Sequence, residues 1–237
     1  MWPFKSNKIK ISESGLLDGF VDWHCHVLPG VDDGAATTED SLAILSLMEE
    51  AGFSEVYLTP HVVEKFPNST FTLTEEYNKL TRRYQGSMKL HLASENRLDR
   101  LFDRRLENHD FLLADGMLLV ESSFAGRQLN LRELLGRTIA EGYSPLFAHP
   151  ERFCYMTQQD YRELKGMGVA FQLNLPSLIG VYGPEAMQNA RWILENGWYD
   201  RIGTDTHSLQ GLSLLLNAPL PLRYIPMLEG IIKRGYR

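Results

Sequence analysis

Hydrophobic positions along this chain come in short runs separated by segments of helical spacing. Seven runs rich in Val, Ile, Leu, Phe and Tyr read as strands: residues 19–24, 55–61, 88–95, 116–123, 145–152, 169–175 and 199–207. After the first, Thr37 with Asp40 three residues on reads as a helix cap, Leu42, Leu45, Met48 and Ala51 follow at helical spacing, and Gly52 stops the turn. Further helices are predicted over 74–86, 99–108, 129–142, 157–168 and 183–197, and residues 217–237 are expected to end in a helix on the outside of the fold. Strand and helix alternate throughout, the pattern of βα units around a mostly parallel sheet. Seven units in 237 residues is about 34 residues each, the size of a unit in an eightfold barrel of about 250 residues. The expected fold class is therefore α/β and barrel-like, with residues 1–237 as a single domain and 1–18 as an N-terminal extension.

Composition narrows the function. A net charge of -6 argues against a nucleic-acid surface, because phosphate backbones are held by clustered Lys and Arg. Two cysteines, Cys25 and Cys154, are too few for a disulfide framework, which fits a reducing cytoplasm. No segment approaches the roughly 18 apolar residues of a membrane span, and the N-terminus has no apolar core of signal-peptide length. The expectation is a cytoplasmic protein with no nucleic-acid partner and no membrane insertion.

The chemistry sits where strands end. In parallel α/β folds reactive residues gather at the carboxyl edge of the sheet. His24 and His26 close the first run, His61 the second, Glu95 the third, Glu121 the fourth, His149 the fifth, and Asp205 with His207 the last. Only His91 and His109, of seven histidines, fall outside this set and read as ordinary polar residues. Side chains two apart on a strand share a face, so His24 and His26 point together, as do Asp205 and His207. Asp32 and Asp33 follow a Pro-Gly turn that folds them back over His26; Asp32 reads as the turn former and Asp33 as a ligand. Mixed imidazole and carboxylate sets suit Zn, Mn or Fe, and the set exceeds what one ion needs. Two or three ions sharing Glu95 would use it all, an arrangement suited to displacement at phosphorus.

These residues resemble the polymerase and histidinol phosphatase superfamily, in particular its bacterial branch of capsule- and exopolysaccharide-linked, metal-dependent protein-tyrosine phosphatases. The resemblance covers nearly the whole chain and rests on HCHVLPGVDDGA at 24–35, TPH at 59–61, the Glu of ASEN at 95, the Glu of LLVESS at 121, AHPER at 148–152 and TDTH at 204–207. It implies a distorted (β/α)7 barrel with its site at the C-terminal ends of the strands. It also implies three metals, manganese first, with iron or zinc as alternatives. One would take His24, His26, Glu95 and Asp205, a second Glu95, Glu121 and His149, and a third Asp33, His61 and His207. Arg152 matches the family's substrate-phosphate arginine, and the implied partner is a phosphotyrosine-bearing tyrosine kinase of polysaccharide export.

The expected reaction is attack of a metal-activated hydroxide on a phosphate ester whose oxygens Arg152 holds, with Asp205 or His207 as proton donor to the leaving phenol. Rival phosphatase chemistries lack their residues. Val31 and Asp160 stand where a cysteine phosphatase would need Arg after Cys25 and Cys154, and the chain has neither an Asp-x-Asp nor an Arg-His-Gly tripeptide. A small ester such as histidinol phosphate, or a non-catalytic metal-binding regulator, remains an alternative at this point.

Overall fold

The computed structural model of the protein describes residues 7–235. The strands are β1 (Lys8–Lys10), β2 (Phe20–Cys25), β3 (Phe53–Leu58), β4 (His61–Val62), β5 (Lys89–Leu92), β6 (Glu95–Arg97), β7 (Met117–Glu121), β8 (Ser144–Ala148), β9 (Ala170–Asn174), β10 (Arg201–Gly203) and β11 (Pro219–Pro221). The helices are α1 (Thr38–Glu50), α2 (Thr70–Arg83), α3 (Phe102–Asn108), α4 (Leu131–Ala140), α5 (Gln158–Gly166), α6 (Gly183–Glu195), α7 (Leu209–Asn217) and α8 (Ile225–Gly235).

All pairings between β2 and β10 are parallel, in the orders β2-β3-β5 and β4-β6-β7-β8-β9-β10. The two sheets are one curled wall, because the second and third expected strands each break and continue from the first sheet into the second. Pro60 donates no hydrogen bond, so the second strand cannot run on unbroken. Thr59 holds the kink through its hydroxyl, which lies 3.1 Å from both the N and the O of Cys25. The break places His61 in register with Glu95. The wall closes between β10 and β2, where the His26 N–H donates to Thr206 O at 2.8 Å and the Asp205 N–H to His24 O at 2.7 Å. Asp22, wholly buried, locks this seam by accepting from the Thr204 N–H at 2.8 Å and its hydroxyl at 2.6 Å.

Period-two alternation decides which side chains face the barrel axis. In β7, Leu118 and Val120 join the main core, whereas Leu119 packs with Leu146 and Ala148 in a separate cluster, and Glu121 follows Leu119 on that face. Apolar side chains thus fill the lower barrel and polar ones cap its C-terminal end.

The seven-stranded expectation holds as a ring, with differences that have local causes. Strand β10 stops at Gly203, where a Cβ would lie 2.5 Å from the His24 Cβ, so the backbone passes too close for any side chain. Helix α2 starts at Thr70, earlier than the sequence predicts, because Ser69 and Thr72 form a reciprocal cap. Helix α3 starts late, since Asp99 first forms a turn, accepting from the Leu101 N–H at 2.9 Å. The β1–β11 pair was not anticipated, and with Ile11, Leu16 and Leu17 buried it ties the described part of the N-terminal extension to the body. Residues 1–6 of that extension and 236–237 of the expected C-terminal helix lie outside the described residues. Among the described residues no helix is long and apolar enough to cross a membrane.

Candidate metal centre

The turn after β2 sets the first wall of the site. Gly34 passes so near His26 that a Cβ there would lie 2.0 Å from the His26 carbonyl oxygen. This contact brings Asp32 under the ring: its Oδ2 accepts from His26 Nδ1 at 2.8 Å and from the His61 N–H at 2.9 Å, and its Oδ1 from the Gly34 N–H at 2.9 Å. Burial alone would raise the Asp32 pKa, yet the hydrogen bond and charge of His26 prevail and lower it to about 2. Gln172 does the same for His24, accepting from its Nδ1 at 3.0 Å with an Oε1 that also takes the His149 backbone N–H at 3.2 Å. With acceptors on both Nδ1 atoms, each ring that binds a cation would keep its proton there and leave Nε2 to face inward. Those two Nε2 atoms lie 3.1 Å apart.

The other seven sequence-predicted ligands surround this pair. His24, His26 and Asp205 form one group; His24, Glu95 and His149 a second; His61, Glu95 and Glu121 a third; His26, Asp33, His61 and His207 a fourth; within each, the ligand atoms lie within 4.8 Å of one another. Glu95 is central, with Oε2 2.8 Å from His61 Nδ1, 3.4 Å from His24 Nε2 and 3.5 Å from His26 Nε2, and Oε1 2.9 Å from His149 Nε2. Asp205 Oδ1 lies 3.6 Å from His24 Nε2 and 3.3 Å from His26 Nε2. Asp33 Oδ1 is 3.5 Å from His61 and 3.6 Å from His207.

These four groups overlap and depart from the three sets implied by the resemblance: Glu95 is not in the His24–His26–Asp205 group, His26 also joins the Asp33 group, and Glu121 changes partner. Glu121 groups with His61, 3.6 Å away, and not with His149, because the kink at Pro60 swings His61 between the two glutamates. His149 reaches Glu95 and pairs with His24 instead.

The donor set fits divalent cations on three counts. Two ligands of one ion at bonds of about 2.1 Å lie about 3.0–3.4 Å apart, and the separations around the His24–His26 pair run from 3.1 to 3.6 Å. Second, burial would lower the pKa of His24 and His26, yet Glu95, Asp205 and Asp32 raise both, so the pocket favours positive charge. Third, His61 Nδ1 and Glu95 Oε2, 2.8 Å apart but not aligned for a hydrogen bond, and His149 Nδ1 are buried without a hydrogen-bond partner, an expensive state that a cation relieves for the two atoms facing the cluster. Burial, reinforced by the charge of Arg152, lowers His149 to about 4, so the ring is neutral and free to ligate. Burial and the neighbouring Glu95 push Glu121 up to about 7, a cost that a divalent ion between the carboxylates reverses.

Arg152 stands at the mouth on the 3-10 turn Pro150–Arg152. Fully buried Glu151 anchors that turn, accepting from the Asn174 N–H, the Ser177 hydroxyl and the Tyr199 hydroxyl at 2.8 to 3.0 Å. Arg152 Nη1 donates to Asp205 Oδ2 at 2.6 Å, and its guanidinium lies 4.0 Å from the Tyr182 ring centre and 4.8 Å from that of Phe124. His149 and Asp205 both hold left-handed backbone, φ 35° and 52°, as do His109 and Asp115 away from the site.

Sequence reading missed the supporting residues. Asp32 is an orienting acceptor as well as a turn former; Gln172 locks a ligand; Arg97 donates to Glu121 at 2.9 Å; Asn174 and Tyr182 donate to Asp205 at 2.8 and 3.3 Å. The one available signal was a polar residue inside an apolar strand, as with Gln172. His91 and His109 serve elsewhere, His91 2.8 Å from Glu55 and His109 capping α3. Cys25 and Cys154 are both free.

A curled parallel barrel with clustered imidazoles and carboxylates at its C-terminal end defines a hydrolase-type metal barrel, and solved structures share that fold. One of the structures described together for YwqE from Bacillus subtilis and CpsB from Streptococcus pneumoniae, metal-dependent tyrosine phosphatases, superposes with a TM-score of 0.76 at 22% identity, covering 91% of this chain and 90% of that one. Histidinol phosphate phosphatase from Lactococcus lactis matches with a TM-score of 0.51 at 15% identity over 92% and 94% of the chains. Residues 20–213 match the family model for capsular polysaccharide synthesis, CpsB/CapC, and the chain belongs to that family. Among its relatives, tyrosine-protein phosphatase YwqE of Bacillus subtilis is 25% identical over 205 residues, 80% of this chain and 78% of the relative. The putative tyrosine-protein phosphatase CapC of Staphylococcus aureus is 24% identical over 227 residues, 91% and 89% of the two chains.

Proposed function

We propose that the chain is a metal-dependent protein-tyrosine phosphatase acting on phosphotyrosine of a tyrosine kinase of polysaccharide export, in the cytoplasm. The observation that carries this reading is the convergence of His24, His26, Asp33, His61, Glu95, Glu121, His149, Asp205 and His207 on one pocket with Arg152 across its mouth. Relatives that cover most of the chain and are named tyrosine-protein phosphatases support it. Two or three divalent ions are held, with manganese the first candidate and iron or zinc next.

When bound, such ions offset phosphate charge and acidify water so that hydroxide exists near neutral pH. The chain's own residues do the rest. Arg152 keeps one N–H on Asp205 and has the remainder of its planar fork for two phosphate oxygens, which Lys could not hold in the same way. The rings of Tyr182 and Phe124 and the Asp205 bond fix its aim. Burial would raise Asp205, but His24, His26 and Arg152 hold it well below the usual carboxylate range, so it stays ionised and cannot give up a proton. His207 is no freer a donor, because its Nδ1 is engaged by Asp205 O at 2.8 Å and burial with the charge of His26 lowers its pKa. A phenol leaving group of pKa about 10 needs only modest help.

The test compares purified, manganese-loaded protein on a phosphotyrosyl peptide, a phosphoseryl peptide and histidinol phosphate. Preferential turnover of the phosphotyrosyl peptide is expected. Faster turnover of histidinol phosphate would move the assignment to small esters.

A further inference from the structure

A cavity of about 260 Å³ opens beside the metal centre, between the 3-10 turn Leu175–Ile179, the loop through Tyr182 and helix α7. Asp205 and His207 form one end of its wall, so it is continuous with the ligand cluster. Thr204, Thr206 and Ser208 adjoin that end, and the outer wall is made by the apolar Pro176, Ile179, Val181, Leu214 and Leu215. Apolar surface continues outward, with Val181 61%, Leu214 67% and Leu209 44% exposed. Large apolar side chains left this open beside a reaction centre mark a contact surface.

The wall chooses the occupant. A small ester with its phosphate at the centre has no branch long enough to enter. A polypeptide advances about 3.3–3.6 Å per residue when extended, so side chains one to three positions from a phosphotyrosine reach the cavity. Asp205 is already engaged by Arg152 and Asn174, so the cavity has no unpaired cation to offer an acidic side chain, which would leave water for a largely apolar wall.

We propose that this cavity is a substrate subsite that takes one aliphatic side chain of the phosphotyrosyl polypeptide, Leu or Ile, within three residues of the phosphotyrosine. The inference rests on the phosphotyrosine reading above and adds a determinant of sequence preference. Val181 and Leu214 are its specificity-determining residues.

The experiment measures dissociation constants of manganese-loaded protein for peptides carrying a non-hydrolysable phosphonate analogue of phosphotyrosine. Leucine, serine or aspartate is placed in turn at each of the three positions on either side, and turnover of 4-nitrophenyl phosphate and phosphotyrosyl peptides is followed in parallel. At one position leucine is expected to bind about tenfold more tightly than serine, and aspartate more weakly than either. Leu214→Asp and Val181→Asp, both at exposed positions and checked for folding by thermal melting, should bring the leucine-to-serine ratio close to one. Equal binding of leucine and serine peptides at every position, with phosphotyrosyl turnover intact, would overturn the subsite. So would a leucine preference unchanged in both variants. A leucine preference without hydrolysis of any ester would leave the subsite standing and remove the phosphatase reading.

Discussion

Asp32→Asn changes one hydrogen-bonding sense at the heart of the cluster while preserving shape. In the wild type Asp32 Oδ2 accepts from His26 Nδ1 at 2.8 Å and from the His61 N–H at 2.9 Å, and Oδ1 accepts from the Gly34 N–H at 2.9 Å. An asparagine amide has only one accepting oxygen. If it keeps Gly34, its nitrogen faces His26 and donates, so the His26 proton moves to Nε2, the atom that faces His24 at 3.1 Å and Asp205 at 3.3 Å. A protonated Nε2 cannot ligate. Loss of an orienting partner of a metal-bound histidine typically costs 10- to 100-fold in affinity, about 1.4–2.8 kcal/mol. The assay is chelator competition with manganese, run on wild type, Asp32→Asn and Asp32→Ala, with thermal melting of the metal-free proteins as a folding control. The asparagine variant should fall in that range, with the alanine variant no better. Wild-type metal affinity in a folded Asp32→Asn protein would refute the claim that Asp32 sets the His26 tautomer.

Other expectations follow from the same contacts. His26→Ala should lose both metal and activity, whereas Arg152→Ala and Arg152→Lys should lose phosphotyrosine hydrolysis with metal content unchanged; elemental analysis beside a rate assay separates the two outcomes. Gln172→Leu, which removes the acceptor on His24 Nδ1, should weaken metal binding by about tenfold or more. Asp160 caps α5 with Thr157, and its hydrogen bond to Arg127 is the main cause that lowers its carboxyl to about 2. A depressed carboxylate contributes stability above its unfolded pKa near 4 and loses it as pH falls through the folded value. Asp160→Asn should therefore cost about 1 kcal/mol at pH 7, and the gap to wild type in melting experiments should narrow as pH falls below 4. A gap constant down to pH 3 would contradict this assignment.

The alternation of strands and helices was readable because parallel βα units need continuous apolar runs and helical stripes, and both survive in one sequence. The gathering of candidate imidazoles and carboxylates at strand ends was readable for the same reason, since their place follows from where the runs stop. Strand breaks were harder. The kink at Pro60 and the pairing of His61 with Glu95 come from tertiary closure of the wall, and only the proline hinted at them. The orienting groups were hardest of all. Asp32 and Gln172 act through the acceptor each presents to one ring nitrogen, and sequence spacing does not say which nitrogen a distant glutamine will face. The same limit explains the regrouping of Glu121 with His61, a matter of side-chain reach across two neighbouring strands.

The central claim is that nine residues from separate strand ends make one polynuclear metal site, and anomalous diffraction from crystals grown with manganese tests it most directly. Two or three peaks are expected, one within bonding distance of the His24 and His26 Nε2 atoms and Asp205, with Glu95 lying between peaks. Manganese scattering absent from this cluster, or found only at other surface carboxylates, would contradict the account.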